Sequence, residues 1–309
     1  MVLHFEAAKY CGSARGGSQA RIIKTSDAKY FVVKAPNNPQ GIRILSNELL
    51  GSLILRRLGI PTPEPAIIQI NSWLVSYNDE MKLTEFHRVE PWQPGLCFGS
   101  RIESQGWYPI CLCPFKDELY DHQYAKVVNL DAFHEVLMFD LWAMQTDKRQ
   151  AVFLRPKGKR GFVATMIDQG FCFGGSRWGK FQDVRYRTYQ STYRQPQVYD
   201  SVYGLDSFEP IINRMRRKLN LKALRDLATQ IPREWIDDRG QFDALLGLLD
   251  ERLCILEELV NNLHDSVLNP FRNWEKTPKH RMRSAFEIDT FEDVGLIPPL
   301  RFEEPIAAD

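Results

Sequence analysis

An apolar strand that ends in lysine, YFVVK at residues 30–34, is followed within a few residues by a well-punctuated helix, and this pair constrains the fold most. Residues 20–34 alternate and then run apolar around a polar turn (RIIK, TSDAK, YFVVK), which is the pattern of a β-hairpin. In the next stretch Asn38 suits a helix cap, Pro39 a first turn and Gly59 an end, and Pro61 forbids continuation. Ile44/Leu45, Leu49, Leu53 and Leu58 recur about once per turn, giving the helix one face to bury. Further strand-like stretches follow over residues 66–104 (AIIQI, SWLVSY, LCFGSRI). The character then changes. LDAFHEVLMFDLWAMQ, residues 130–145, predicts an apolar helix; a polar break, TDKRQ, leads to strands AVFLR and FVATMID around a basic turn. Helices are expected to about residue 264, the last running through Phe242, Leu245, Leu249, Leu253, Leu256, Val260 and Leu263. Residues 265–309 have prolines and charges without a period and read as an extended tail. Strands first and helices later predict an α+β, two-lobed arrangement: a β-rich N-terminal lobe over 1–105 and a mainly helical C-terminal lobe over 106–264. A cleft between lobes is where small ligands commonly bind.

Composition narrows the partners. Forty basic side chains against 39 acidic ones leave a net charge of +1, so nothing pulls the whole chain toward nucleic acid or acidic membranes. The amino terminus lacks the basic and apolar segments of a secretory signal, and no window approaches ~20 apolar residues, the length of a membrane span. The cysteines are scattered, and Cys111 and Cys113 have no nearby histidines to complete a zinc spacing. Reduced thiols packed as small hydrophobes, and a cytoplasmic location, are the expectation.

Four features could carry chemistry. Gly12, Gly16, Gly17, Ser18 and Gln19 directly precede the hairpin; glycines let backbone N–H groups turn toward an anion, although a plain turn has the same composition. Lys34 ends its strand and Glu48 lies on the following helix, where the two could pair against a nucleotide's phosphates. Asp147 sits in a polar loop between two strongly apolar elements, a setting shared by catalytic carboxylates and turn caps. Asp168, in IDQG, closes an apolar strand before Gly170; there it could hold magnesium or simply form a turn. Phosphoryl transfer requires a phosphate-cradling loop, a lysine, a positioning carboxylate and a metal carboxylate, and these occur in the order kinase-like folds use.

The stretch GGSQARIIKTSDAKYFVVKAPNNPQGIRILSNELLGSLILRRLGIPTPEP resembles the amino-terminal lobe of the HipA-like kinases, within the phosphatidylinositol 3/4-kinase-like group. PGLCFGSRI, FDLWAMQTDKRQAVF, IDQGFCFGG and PREW continue the resemblance over roughly residues 10–264. It implies a protein-kinase-like fold and an ATP- and magnesium-dependent kinase acting on a protein Ser/Thr hydroxyl. By resemblance, Gly16, Gly17, Ser18 and Gln19 form the phosphate loop, Lys34 contacts phosphates, Glu48 orients it, Asp147 is the catalytic carboxylate and Asp168 the metal ligand. Where many relatives carry asparagine five residues after the catalytic aspartate, this chain has Val152, and Gln150 is the nearest substitute ligand. That departure keeps a nucleotide-binding pseudokinase in view beside the active enzyme. A lipid or small-molecule kinase is the enzymatic alternative, without a basic amphipathic membrane helix to favour it. Arg and Tyr interleave over 174–203, which suits a substrate or activation loop, a solvated strip or a nucleic-acid contact, the last being the least expected.

Overall fold

The computed structural model describes residues 2–14, 17–85, 88–102, 124–154, 161–176, 178 and 192–275. The described residues up to Glu275 form one compact unit, and residues 276–309, most of the expected tail, lie outside the described residues. Gly16 and part of the Arg/Tyr-rich stretch, including Arg177, Arg185 and Arg187, lie outside the described residues.

Strands β1 (Leu3–Ser13), β2 (Arg21–Thr25), β3 (Tyr30–Lys34) and β4 (Pro65–Ile70) build the first half. So do β5 (Lys82–Glu85), β6 (Arg88–Pro91) and β7 (Gly95–Ile102). Five of them close into a barrel in the order β1-β2-β3-β7-β4, with β4 returning parallel to β1. Period-two alternation puts Ile23, Phe31, Val33, Ile68 and Cys97 inside it, all fully buried. Closure depends on Gly99, because a Cβ there would lie 2.6 Å from Cγ1 of Ile68. Strands β5 and β6 form a separate hairpin.

Helix α1 (Arg43–Leu58) crosses from the barrel to the helical half and buries Leu45, Leu49, Leu50 and Leu55. It ends as expected at Gly59, in the left-handed conformation at φ 80°. Its start differs. Asn38 organises a turn instead, donating to the carbonyls of Ala35 (2.8 Å) and Gly41 (3.2 Å) and accepting from the Gln40 amide (3.0 Å). SWLVSY is likewise not a strand but the short helix α2 (Ser72–Ser76), which presses Leu74 into the barrel core and leaves Trp73 exposed.

The second half comprises α3 (Asp131–Trp142), the β8 (Gln150–Leu154)–β9 (Val163–Ile167) ladder, α4 (Glu209–Lys218), α5 (Leu221–Ala228), α6 (Arg239–Arg252) and α7 (Leu256–Asp265). The run from Phe242 to Leu263 is therefore two helices joined by a 3₁₀ turn at Leu253–Ile255. Beside the break Arg252 is fully buried and donates to the carbonyls of Trp142 (2.8 Å) and Leu141 (2.6 Å). It thereby satisfies acceptors that the end of α3 would otherwise leave open. Trp142 answers with its indole N–H on Leu249 O at 2.9 Å.

Within 174–203, Trp178, Tyr193 and Tyr199 are buried, so these described members are core residues rather than a mobile loop. The first residues assigned to the extended tail are packed instead. Phe271, in the stretch assigned to it, is buried against Tyr199, Phe208 and Trp274, and Trp274 stacks on His264 at 4.4 Å. Phe271→Ala should lower the unfolding free energy by about 3 kcal/mol in urea denaturation. Truncation after His264 should cost at least as much, and a wild-type midpoint for that truncation would place 265–275 outside the core.

Candidate active site

Lys34 leaves the barrel at the last residue of β3, where the strand's alternation turns its side chain toward α1. Its ammonium donates to Oε1 of Glu48 and, at 2.9 Å, to Oδ1 of Asp168. Glu48 uses its other oxygen, Oε2, to accept from the Gln169 amide at 3.0 Å. One glutamate thus fastens both the lysine and the residue after Asp168. The loop lies this close because position 170 is glycine: a Cβ there would sit 2.7 Å from Cγ2 of Ile44 and 3.2 Å from Oε1 of Glu48.

Asp168 itself is in the left-handed region at φ 63°, a conformation that costs a non-glycine residue of order 1–3 kcal/mol. It is held there by neighbours on several sides. Gln145 donates to its carbonyl at 3.2 Å, and Gln150 donates Nε2 to its Oδ2 at 2.8 Å. The Gln150 contact follows from register, since β8 and β9 place Gln150 opposite Ile167. Thr62 donates to Met166 O and Met166 N to Pro61 O, both at 2.8 Å, which fastens β9 to the connection after α1.

Electrostatics separate the carboxylates. Burial alone would lower the pKa of Lys34, but Glu48 and then Asp168 more than offset it and raise the value. Burial lifts Glu48 above the usual carboxylate range against the pull of Lys34. Burial pushes Asp168 the same way, yet Lys34 outweighs it and holds this carboxyl below the ordinary range. Of the two carboxylates, Asp168 is the one whose charged form is the more strongly favoured.

These groups line a cavity of about 390 Å³. Val32, Phe98, Ile102, Val152 and Ile167 give it apolar walls, and Lys34, Glu48, Asp147, Gln150 and Asp168 line it as polar groups. Gly17 and Ser18 also line it. Gln19 is engaged elsewhere: its amide donates to Thr84 O at 2.6 Å and accepts from Thr84 N at 2.9 Å, like one strand pairing with another. Its side chain thus fastens the β5–β6 hairpin to the loop expected to hold phosphate. Asp147 is half-buried and accepts from the Lys148 amide at 2.7 Å. Among the described residues no group of three or more His, Cys, Asp or Glu forms a metal cluster. Magnesium needs none when phosphate oxygens and waters complete its shell, so Asp168, with the Gln150 amide turned to present oxygen, fits as the protein's share.

Two residues beneath the site were not singled out from sequence. Arg149 and Asp140 form an ion pair with no exposed side-chain surface, including Nε to Oδ2 at 2.9 Å, and Arg149 also donates to Ile167 O at 2.7 Å. A lone aspartate inside the apolar run VLMFDLW was the available signal, because a buried charge requires a partner.

Residues 11–154 match a family model described as HipA-like kinase. The crystal structure of the Helicobacter pylori proinflammatory kinase CtkA superposes with a TM-score of 0.52 at 12% identity, covering 85% of this chain and 98% of that one. Hydra Fam20, solved with sugar, superposes with a TM-score of 0.51 at 11% identity, covering 84% of this chain and 86% of that one. At these identities the likeness is one of fold, a β-rich first part and a helical second part, as the two-lobed expectation had it. No curated protein matches the chain.

Removing either half of the Arg149–Asp140 pair strands a charge in the core, so Arg149→Met should cost about 3–5 kcal/mol of stability. The double variant Arg149→Met/Asp140→Leu should recover most of that loss in denaturant titrations. Equal stability of single and double variants would show that the pair is not coupled.

Proposed function

We propose that this chain, whose residues 11–154 match the HipA-like kinase model, is a phosphotransferase that moves the γ-phosphoryl group of ATP, with magnesium, to a protein Ser/Thr hydroxyl. The observation that carries the reading is the shared lysine. Lys34 bonds Glu48 and Asp168 at once on the wall of a cavity that Asp147 also lines.

Each residue has work suited to its chemistry. The apolar walls exclude water and offer a face to the base of the nucleotide. Lys34, kept protonated, is aimed by Glu48 and can exchange its bond to Asp168 for one to a phosphate oxygen. Asp168, kept ionised, supplies the carboxylate for magnesium, with Gln150 beside it. Bound magnesium neutralises charge that develops on the phosphate oxygens. Asp147, half-buried at the cavity, orients an acceptor hydroxyl and takes its proton. No helix among the described residues is long and apolar enough to cross a membrane.

A second reading rests on Val152, which lines the cavity where a further amide ligand is expected. It makes the chain a nucleotide-binding pseudokinase whose work is partner binding. Single-turnover transfer from labelled ATP to a mixture of Ser/Thr-containing proteins, and to the chain itself, separates the two. Wild type should transfer label only with magnesium, Asp168→Ala should abolish transfer, and Asp147→Ala should impair it severely. Gln150→Ala should lose about tenfold, or ~1.4 kcal/mol of transition-state stabilisation. Nucleotide binding with no transfer or hydrolysis would establish the pseudokinase. A wild-type rate in Asp168→Ala would remove the kinase mechanism.

A further inference from the structure

Asn47 adjoins Glu48 on α1, is 1% exposed, and has both ends of its side-chain amide hydrogen-bonded. Its Nδ2 donates to the carbonyls of Gly170 (2.8 Å), Cys172 (3.0 Å) and Gly175 (2.9 Å). Two hydrogens serve three acceptors, so one of the bonds is shared. Its Oδ1 accepts from the indole N–H of Trp178 at 2.9 Å. That bond also settles the amide's orientation, because an indole only donates.

The loop gripped in this way is not self-supporting. Phe173, Gly174 and Gly175 are consecutive left-handed residues at φ 61°, 77° and 71°, which folds the chain back on itself and turns carbonyls toward α1. The same loop is bonded along its other side to the stretch leading into Asp147. Phe173 N donates to Ala143 O (2.6 Å) and Gly174 N to Met144 O (3.2 Å), and Thr146 N donates to Phe171 O (3.0 Å). Asn47 is therefore linked through one loop to Asp168, two residues before its first acceptor, and to Asp147, one residue after Thr146. Trp178 is braced in turn by Phe242 at 4.9 Å and by the Arg43 guanidinium over its ring at 4.9 Å.

Given the phosphotransfer reading above, on which this rests, we propose that Asn47 is a positioning residue for the reaction. It locks the loop 170–175 onto α1 so that Glu48, Asp147 and Asp168 keep one relative placement, and Trp178 holds its amide in register. No other side chain of this size substitutes. Aspartate would set a negative charge against three carbonyl oxygens, and leucine would leave those carbonyls buried without donors.

The test uses the full chain and the variants Asn47→Leu, Asn47→Asp and Trp178→Phe, the last removing the indole donor while keeping a ring against Phe242 and Arg43. Loss of groups that support a metal carboxylate typically costs about 10–100-fold, so kcat should fall by that amount in both Asn47 variants. In Trp178→Phe the fall should be about fivefold, a partial loss of the same support. KM for ATP and the affinity for metal-free nucleotide should stay near wild type, since Lys34 and the apolar walls are untouched. Amide hydrogen exchange should accelerate at 143–146 and 168–175 in every variant while the β2–β3 ladder stays unchanged. Unaltered exchange in both loops overturns the proposal, as does a kcat in Trp178→Phe equal to wild type beside a kcat in Asn47→Leu reduced only by its unfolded fraction. A wild-type protein that transfers no phosphate defeats the phosphotransfer reading instead, and the exchange measurement then decides whether Asn47 holds the two loops together.

Discussion

A single ammonium shared between two carboxylates organises this molecule. Lys34 comes from the barrel, Glu48 from the crossing helix and Asp168 from the end of the β8–β9 ladder, so three elements distant in sequence or topology meet at one nitrogen. Each charge would be costly to bury alone, and the cost is offset only when all three are present in bonding geometry. Function and architecture are linked by that condition, since the barrel, helix and ladder are held in the arrangement that opens a cavity between them. The site is poised in charge as well. Burial lifts Glu48 while Lys34 holds Asp168 down, so the charged form is favoured most at the more accessible carboxylate.

Support for the cluster comes from close approach and from backbone bonding more than from further charges. Glycine at 170 lets the loop after Asp168 touch α1, and glycine at 51 does the same beside Gln169, where a Cβ would lie 2.8 Å from Cβ of Gln169. Beneath them the buried Arg149–Asp140 pair ties the end of α3 to β9 through Ile167 O. Buried polar groups of this kind stabilise one arrangement because any other leaves them unpaired.

Much of this was legible in the sequence, for identifiable reasons. The lysine ending YFVVK and the glutamate on the next helix are local features whose alternation and period aim them at each other. The strand pair around Asp147 and Asp168 is marked by apolar runs that stop at polar residues. What was not legible depends on tertiary partners. Asn38 has the composition of a helix cap, but the chain needs one more turn, closed by Gly41 at φ 92°, before α1 can begin. SWLVSY alternates like a strand, yet Leu74 alone reaches the barrel core, and a short helix delivers it. The break between α6 and α7 adjoins Arg252, whose acceptors lie on a helix more than a hundred residues earlier. The side-chain partner of Gln19 was not legible either, because Thr84 on the β5–β6 hairpin lies 65 residues away. Asn47 had no local signature at all, since its acceptors are distant carbonyls.

We propose the Lys34–Glu48–Asp168 cluster as a metal–nucleotide site. A crystal structure with a non-hydrolysable ATP analogue and manganese, whose anomalous scattering locates the ion, addresses it most directly. The expected result is an anomalous peak about 2.0–2.2 Å from a carboxylate oxygen of Asp168, with Lys34 still bonded to Glu48 and its second bond moved to a phosphate oxygen. Nucleotide bound outside the cavity, or an intact Lys34–Asp168 bond with the metal held elsewhere, would contradict it.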